Sequence, residues 1–178
     1  MARKKHTPND PDRRQRILDA AIAVLQDGGI PAVSARAIAA RAEVPVGSVS
    51  YHFDSIRSLL REALRSIIEF REQSLREWNE TVTEGDVVER LAELIHAQIT
   101  TGRNLTVVAY ELYLLGLRDP EFRALSIEAT SVLSRQLAVH LPEEEARRLA
   151  AVADGVQMHS LFLRPAPPVT SIIEELSP

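Results

Sequence analysis

Apolar residues in this chain recur with the period of a helix. Ile17, Ala20, Ala21, Val24 and Leu25 fall at i, i+3, i+4, i+7 and i+8, an apolar stripe on a first helix. That helix is expected to open near Pro11-Asp12, where Pro and an acid suit the first turn, and to stop at Gly28-Gly29. Ser34 reads as the N-cap of a second helix reaching about Ala42 and burying Ile38 and Ala42. Glu43-Val44-Pro45 forms a turn, and a third, short helix covers Val46 to about His52, with Val49 and Phe53 packing back on the first two. Asp54 or Ser55 caps a longer fourth helix, with Leu59, Leu60, Leu64, Ile67, Ile68 and Leu75 at helical spacing.

The theme continues to the C-terminus. Val87, Leu91, Leu94, Ile95 and Ile99 form an apolar helical face ended by Gly102, and Asn104 is placed to cap the segment through Leu117. Asp119-Pro120-Glu121 opens a helix to about His140, and Pro142-Glu143-Glu144-Glu145 opens another to about Leu163. The run Arg164-Pro165-Ala166-Pro167-Pro168 is a stop, followed by a last short helix from Val169 to Leu176. No strand alternation and no internal repeat is present. The predicted fold is all-α with about nine helices.

Composition narrows the function classes. A hydrophobic fraction of 45% with 26% charged residues belongs to a globular chain, and the absence of cysteine removes disulfides, thiolate metal sites and cysteine nucleophiles. No apolar run reaches the roughly 18 residues needed to span a bilayer, and the basic start MARKKHTPNDPDRR lacks a signal-like apolar core, so a cytoplasmic location is expected. Net charge is −4, but it divides unevenly: residues 1–57 hold nine Lys/Arg against six Asp/Glu, and residues 58–178 hold twelve against nineteen. A mildly basic head on an acidic body places phosphate attraction at one end. The five His are scattered without metal-ligand spacing, and no GxxxxGK, GxGxxG or GxSxG occurs. An enzyme is therefore not expected, nor a cofactor or metal.

The segment Ser34–Leu60 carries the chemistry. Two short helices around a tight turn fit a helix-turn-helix, whose second helix enters the DNA major groove. Val46, Ser48, Ser50 and Tyr51 are free to face the groove while Val49 anchors the helix, and Gly47 permits close backbone approach. The hydroxyls of Ser34, Ser48 and Tyr51 and the imidazole of His52 suit phosphate or base-edge contacts, and Arg36 is placed to clamp phosphate. Phe53 reads first as a core aromatic and Tyr51 only second as one, while His52 reads equally as an exposed capping residue. Arg3, Lys4, Lys5 and Arg13 form either a DNA-contacting arm or a simple tail. The expected division is an arm over 1–10, a DNA-binding head over 11–54 and a helical body over 55–178.

From Arg14 to Leu60 the chain resembles the tetracycline-repressor (TetR) family of bacterial transcription regulators. The resemblance rests on Ile17-Leu18, Ala20-Ala21 and Gly28-Gly29, on Ser34, Ile38-Ala39 and Ala42, and on Val44, Gly47, Phe53 and Leu59. In the body, Glu111-Leu112 and Arg118-Asp119-Pro120-Glu121-Phe122 are also similar. Departures are Glu43 in place of the usual turn Gly, Pro45 in place of Ser or Thr, Ser50 in place of Tyr, and Ile56 in place of a phosphate-contacting Lys. Arg57 or Arg61 is then the candidate substitute for that Lys.

The resemblance implies a homodimeric repressor of a palindromic double-stranded DNA operator, released by a small-molecule effector. It implies a seam on the last two long helices, with Leu133, Leu137, Leu149, Val152, Val156 and Leu163 as candidates, although some of these must pack within one subunit. It also implies an effector pocket in the body, for which Trp78, His96, Gln98, Tyr110, Tyr113 and Met158 are candidates. The alternative is a ligand-sensing or protein-binding module of the same fold that no longer reads DNA; salt-dependent, sequence-selective DNA binding separates the two.

Overall fold

The computed structural model describes residues 12–83 and 85–177, so Pro11 and the expected arm over 1–10 lie outside the described residues. Those residues form nine α-helices and one 3-10 turn. Their contacts divide into two units between Ala63 and Leu64, inside the fourth helix.

In the first unit, α1 (Arg13–Ala32) buries Ile17, Leu18, Ala20, Ala21 and Leu25, while Val24 is half-buried. Its break falls at Gly29 (φ 67°, ψ −171°), beyond which one more turn continues to Ala32. The expected stop is thus a kink: a residue without Cβ takes the left-handed φ, and the helix resumes. α2 (Ala35–Arg41) is capped by Ser34, whose Oγ accepts the Ala37 N–H at 3.1 Å. Ala42, expected in the core, is only half-buried because it lies one residue past the helix end. The turn holds Glu43 at φ 55° and leads into α3 (Val46–His52). Val49 and Phe53 are buried.

α4 (Ile56–Asn79) opens on a reciprocal cap: the Ser58 N–H donates to Ser55 Oγ at 3.0 Å and the Ser55 N–H donates to Ser58 Oγ at 3.1 Å. This is the geometry of a capping box, with Ser in place of the usual Glu or Gln at the third helical position.

The second unit comprises the rest of α4 with α5 (Val87–Ile99), α6 (Arg103–Leu114), a 3-10 turn (Leu115–Leu117), α7 (Pro120–Leu137), α8 (Glu143–Ser160) and α9 (Val169–Leu176). α7 packs on α6 and α8, and α5 packs on α6, α8 and α9. Three boundaries differ from expectation. Gly102, not Asn104, occupies the N-cap of α6, without a side-chain cap. α7 ends at Leu137 because the next residues close a tighter turn, with the N–H groups of His140 and Leu141 both donating to the Leu137 carbonyl at 3.0 Å before Pro142. α8 likewise ends at Ser160, and Phe162 and Leu163 turn through i→i+3 bonds to His159 and Ser160.

Candidate nucleic-acid interface and ligand cavity

α3 is seven residues long, and only Val49 is buried on it. Tyr51 is 84% exposed and Val46 is 48% exposed, so neither belongs to the core of this chain. Of the two aromatics flanking His52, Phe53 is the core residue: it is buried, and the Arg14 guanidinium lies 4.8 Å from its ring centroid. Arg14 also pairs with Glu62 at 2.5 Å, so that cation is already engaged within the chain. Tyr51 meets His52 edge-on, with ring centroids 5.0 Å apart, and His52 and Ser48 are half-buried.

The rest of the surface agrees in character. Ser50 is exposed on α3, and Arg36 and Arg57 are exposed at the starts of α2 and α4. A Cβ placed on Gly47 would meet nothing within 4 Å, so nothing in this chain requires glycine there. Ser34 is exposed, but its Oγ already accepts a backbone N–H as the α2 cap; its spare capacity is to donate its O–H outward. Ile56 is half-buried in the first turn of α4.

The body holds a cavity of about 360 Å³ walled by α4, α5, α6, α7 and α8. Gln98 and Tyr113 line it; Trp78, His96, Tyr110 and Met158 do not. Trp78 is tied by its Nε1–H to the Arg90 carbonyl at 3.3 Å, and His96 Nδ1 lies 3.0 Å from the Pro167 carbonyl. Met158 is half-buried on another face of α8. Tyr110 stands behind the wall, where its hydroxyl donates to Asp154 Oδ1 at 2.9 Å and lies 3.1 Å from Gln157 Oε1. Gln157 is buried and in turn donates to Gln98 Oε1.

Burial above all, then the Asp154 charge, pushes both Tyr110 and Tyr113 well above the usual phenol range, so both remain protonated donors. The charged lining residues Arg71, Arg147 and Asp154 were not foreseen. Their signal was register: Arg147, Ala150, Ala151, Asp154 and Gln157 share one side of α8, where alanines leave room beside the polar groups.

The seam candidates divide between the interior and the surface of the single chain. Leu137, Leu149 and Val156 are buried within the single chain and Leu133 lines the cavity, so these four already have partners. Val152 is half-buried and Leu163 is 51% exposed. The apolar groups exposed near them are Ile127 on α7 and Phe162 just beyond α8. Among the described residues, no cluster of His, Asp or Glu is placed to hold a metal ion, and no helix is long and apolar enough to cross a membrane.

Comparison with known proteins places this architecture. Residues 17–63 match the model for bacterial regulatory proteins of the tetR family, and residues 82–177 match the tetracyclin repressor-like C-terminal domain. The chain is 49% identical over 53 residues to the transcriptional repressor KstR of Mycolicibacterium smegmatis, a match that covers 30% of this chain and 26% of that one, about a quarter of its length. Among solved structures, a TetR-family member from Streptomyces coelicolor A3 is 34% identical with a TM-score of 0.80, covering 93% of this chain and 96% of its own. The multidrug binding protein EbrR, complexed with ethidium, is 34% identical with a TM-score of 0.81, covering 94% and 98%. With both units matched in order, the chain belongs to the tetR family of bacterial regulatory proteins, a family of DNA-binding transcriptional regulators and not of enzymes.

Proposed function

We propose that this chain is a homodimeric repressor that binds a two-fold operator through α3 and releases it when a small molecule fills the cavity of the body. The observation that carries the DNA-binding half is the exposure of Tyr51 and Val46 beside an unobstructed Gly47. An exposed aromatic and an exposed Val on one short helix, with no Cβ between them, leave a surface free for a partner. A duplex groove offers base edges and thymine methyl groups for the ring and phosphate for the hydroxyl.

One seven-residue helix reads few bases, so a repressor needs two copies on a pseudo-palindrome. The face that suits pairing is Val152, Gly155 and His159 along α8, with Phe162 just beyond it and Ile127 on α7. Nothing in the chain meets a Cβ built on Gly155. Small residues ending in an exposed Phe allow close approach of two helices and an apolar anchor.

The cavity supplies the effector half of the reading, and a volume of about 360 Å³ falls in the range of small-molecule sites. EbrR, similar along nearly all of this chain, is described as multidrug binding, which supports a small molecule as the occupant. Occupancy is proposed to favour a spacing of the two recognition helices that no longer matches the half-sites.

The test is selection of fragmented genomic DNA on the purified protein at near-physiological salt, followed by sequencing. A two-fold symmetric motif is expected. Absence of any enriched sequence from folded dimer, with and without added metabolite pools, would overturn the DNA-reading function in favour of a sensing module.

A further inference from the structure

The cavity has a chemical bias. Its apolar wall is built from Leu75, Leu91, Leu94, Ile95, Ala129 and Leu133. Its charged groups are Arg71, Arg147 and Asp154, two cations against one anion. Asp154 is already engaged, since Oδ1 accepts the Tyr110 hydroxyl at 2.9 Å. Arg71 is half-buried on α4, and among the described residues no carboxylate lies within ion-pair distance of it and no acceptor takes its N–H groups. The neighbouring carboxylate on its helix, Glu72, instead pairs with Arg76 and Arg135.

A half-buried guanidinium without a carboxylate partner, beside an apolar wall, suits an anion with a hydrocarbon part. Arg147 is exposed on the same cavity and adds positive potential. The amide of Gln98 adds a further donor, because its oxygen is taken by Gln157 and its nitrogen is left to give.

We infer that the effector is a small amphipathic monoanion, a carboxylate whose charge meets Arg71 and whose hydrocarbon part lies on the Leu75, Leu91, Leu94 and Ile95 wall. This rests on the proposed role of the cavity as the effector site. At roughly 30 Å³ per water-sized group, the cavity volume admits about a dozen non-hydrogen atoms. The charge disfavours a cation of the same shape, since two guanidiniums face one carboxylate whose Oδ1 already accepts the Tyr110 hydroxyl.

Three probes of matched shape test this on the full-length dimer: 4-phenylbutyrate, 4-phenylbutan-1-ol and 4-phenylbutylammonium, each titrated calorimetrically. The carboxylate is expected to bind at least tenfold more tightly than the alcohol, and the ammonium more weakly still. Arg71→Gln should remove about tenfold or more of the carboxylate affinity while leaving the alcohol unchanged, and Arg71→Lys should restore part of it. Arg147→Gln provides a second cation change at an exposed position, with a smaller loss expected. Equal binding of the three probes, preference for the ammonium, no binding of the carboxylate at millimolar concentration, or indifference to Arg71→Gln would each overturn the inference. If the carboxylate binds through Arg71 yet leaves affinity for the selected DNA unchanged, the anion site stands and the effector-release reading fails.

Discussion

At the scale of single residues, burial separates two neighbouring aromatics. Phe53 and Tyr51 flank one histidine, yet one closes the core and the other stands in water. Their difference follows from α3 having a single anchoring residue, Val49, with Phe53 one turn further on and Tyr51 turned away. Tyr51→Ala therefore removes surface, not core. Its effect on the unfolding midpoint should be small, as for other surface substitutions. Its effect on operator affinity should be about tenfold or more, the loss of one base-edge or phosphate contact. Fluorescence anisotropy on the selected operator, alongside thermal unfolding, checks both; unchanged affinity would move the reading surface elsewhere. Glu43 shows the reverse case. As a departure from the family's glycine it looked like a functional change, but its φ of 55° shows that the position asks for glycine on backbone grounds. The fold keeps the turn and bears the strain.

At the scale of elements, most of the fold was legible because its signals are local. Apolar spacing located α1, α4 and α5, turn, Pro and acid signals marked the others, and Ser34 caps the helix it was expected to cap. Side-chain chemistry without register found only Gln98 and Tyr113 of the cavity lining. Trp78 and His96 were chosen as bulky polar groups, but they are spent on carbonyls of Arg90 and Pro167. The cavity is instead framed by polar residues that look, in sequence, like any solvated face: Arg71 on α4 and Asp154 on α8. The link between α6 and α8 makes a prediction of its own. Tyr110 joins them through Asp154 and Gln157, and its phenol is held protonated by burial and by the Asp154 charge. A phenol raised in the folded state binds its proton while the unfolded chain, titrating near 10, has lost it. Stability is then whole below pH 10 and falls as pH rises beyond it. Chemical denaturation at stepped pH should show this alkaline decline, and Tyr110→Phe should reduce its slope, with Tyr113 supplying the remainder, while lowering stability at pH 7 through the unsatisfied Asp154 and Gln157. An equal alkaline slope in the variant would remove Tyr110 as its source.

At the scale of the whole molecule, the seam candidates show how a core stripe and a subunit interface compete for the same residues. Leu137, Leu149 and Val156 carry the strongest apolar signal on the last two long helices, and the chain uses them for its own core. A core stripe and a subunit seam have the same period, so sequence alone cannot divide them; exposure can. What remains outside is Ile127, the open face at Gly155 and Phe162. An α8 pairing through small residues requires two helix backbones to come within side-chain distance, and Gly155 is where a side chain would intrude. Gly155→Leu should be tolerated by the isolated subunit, because a Cβ there meets nothing within 4 Å, apart from the modest helix-propensity gain of losing a glycine. In the dimer the same side chain must displace its counterpart, once on each side of the two-fold axis. Light scattering should then give a dimer mass for the parent and a monomer mass for the variant at micromolar concentration, with helical circular dichroism retained. Operator affinity should fall with it, since two half-sites are no longer read together. A variant that stays dimeric would place the interface on another face, with the exposed Phe70 and Leu117 the next surfaces to change.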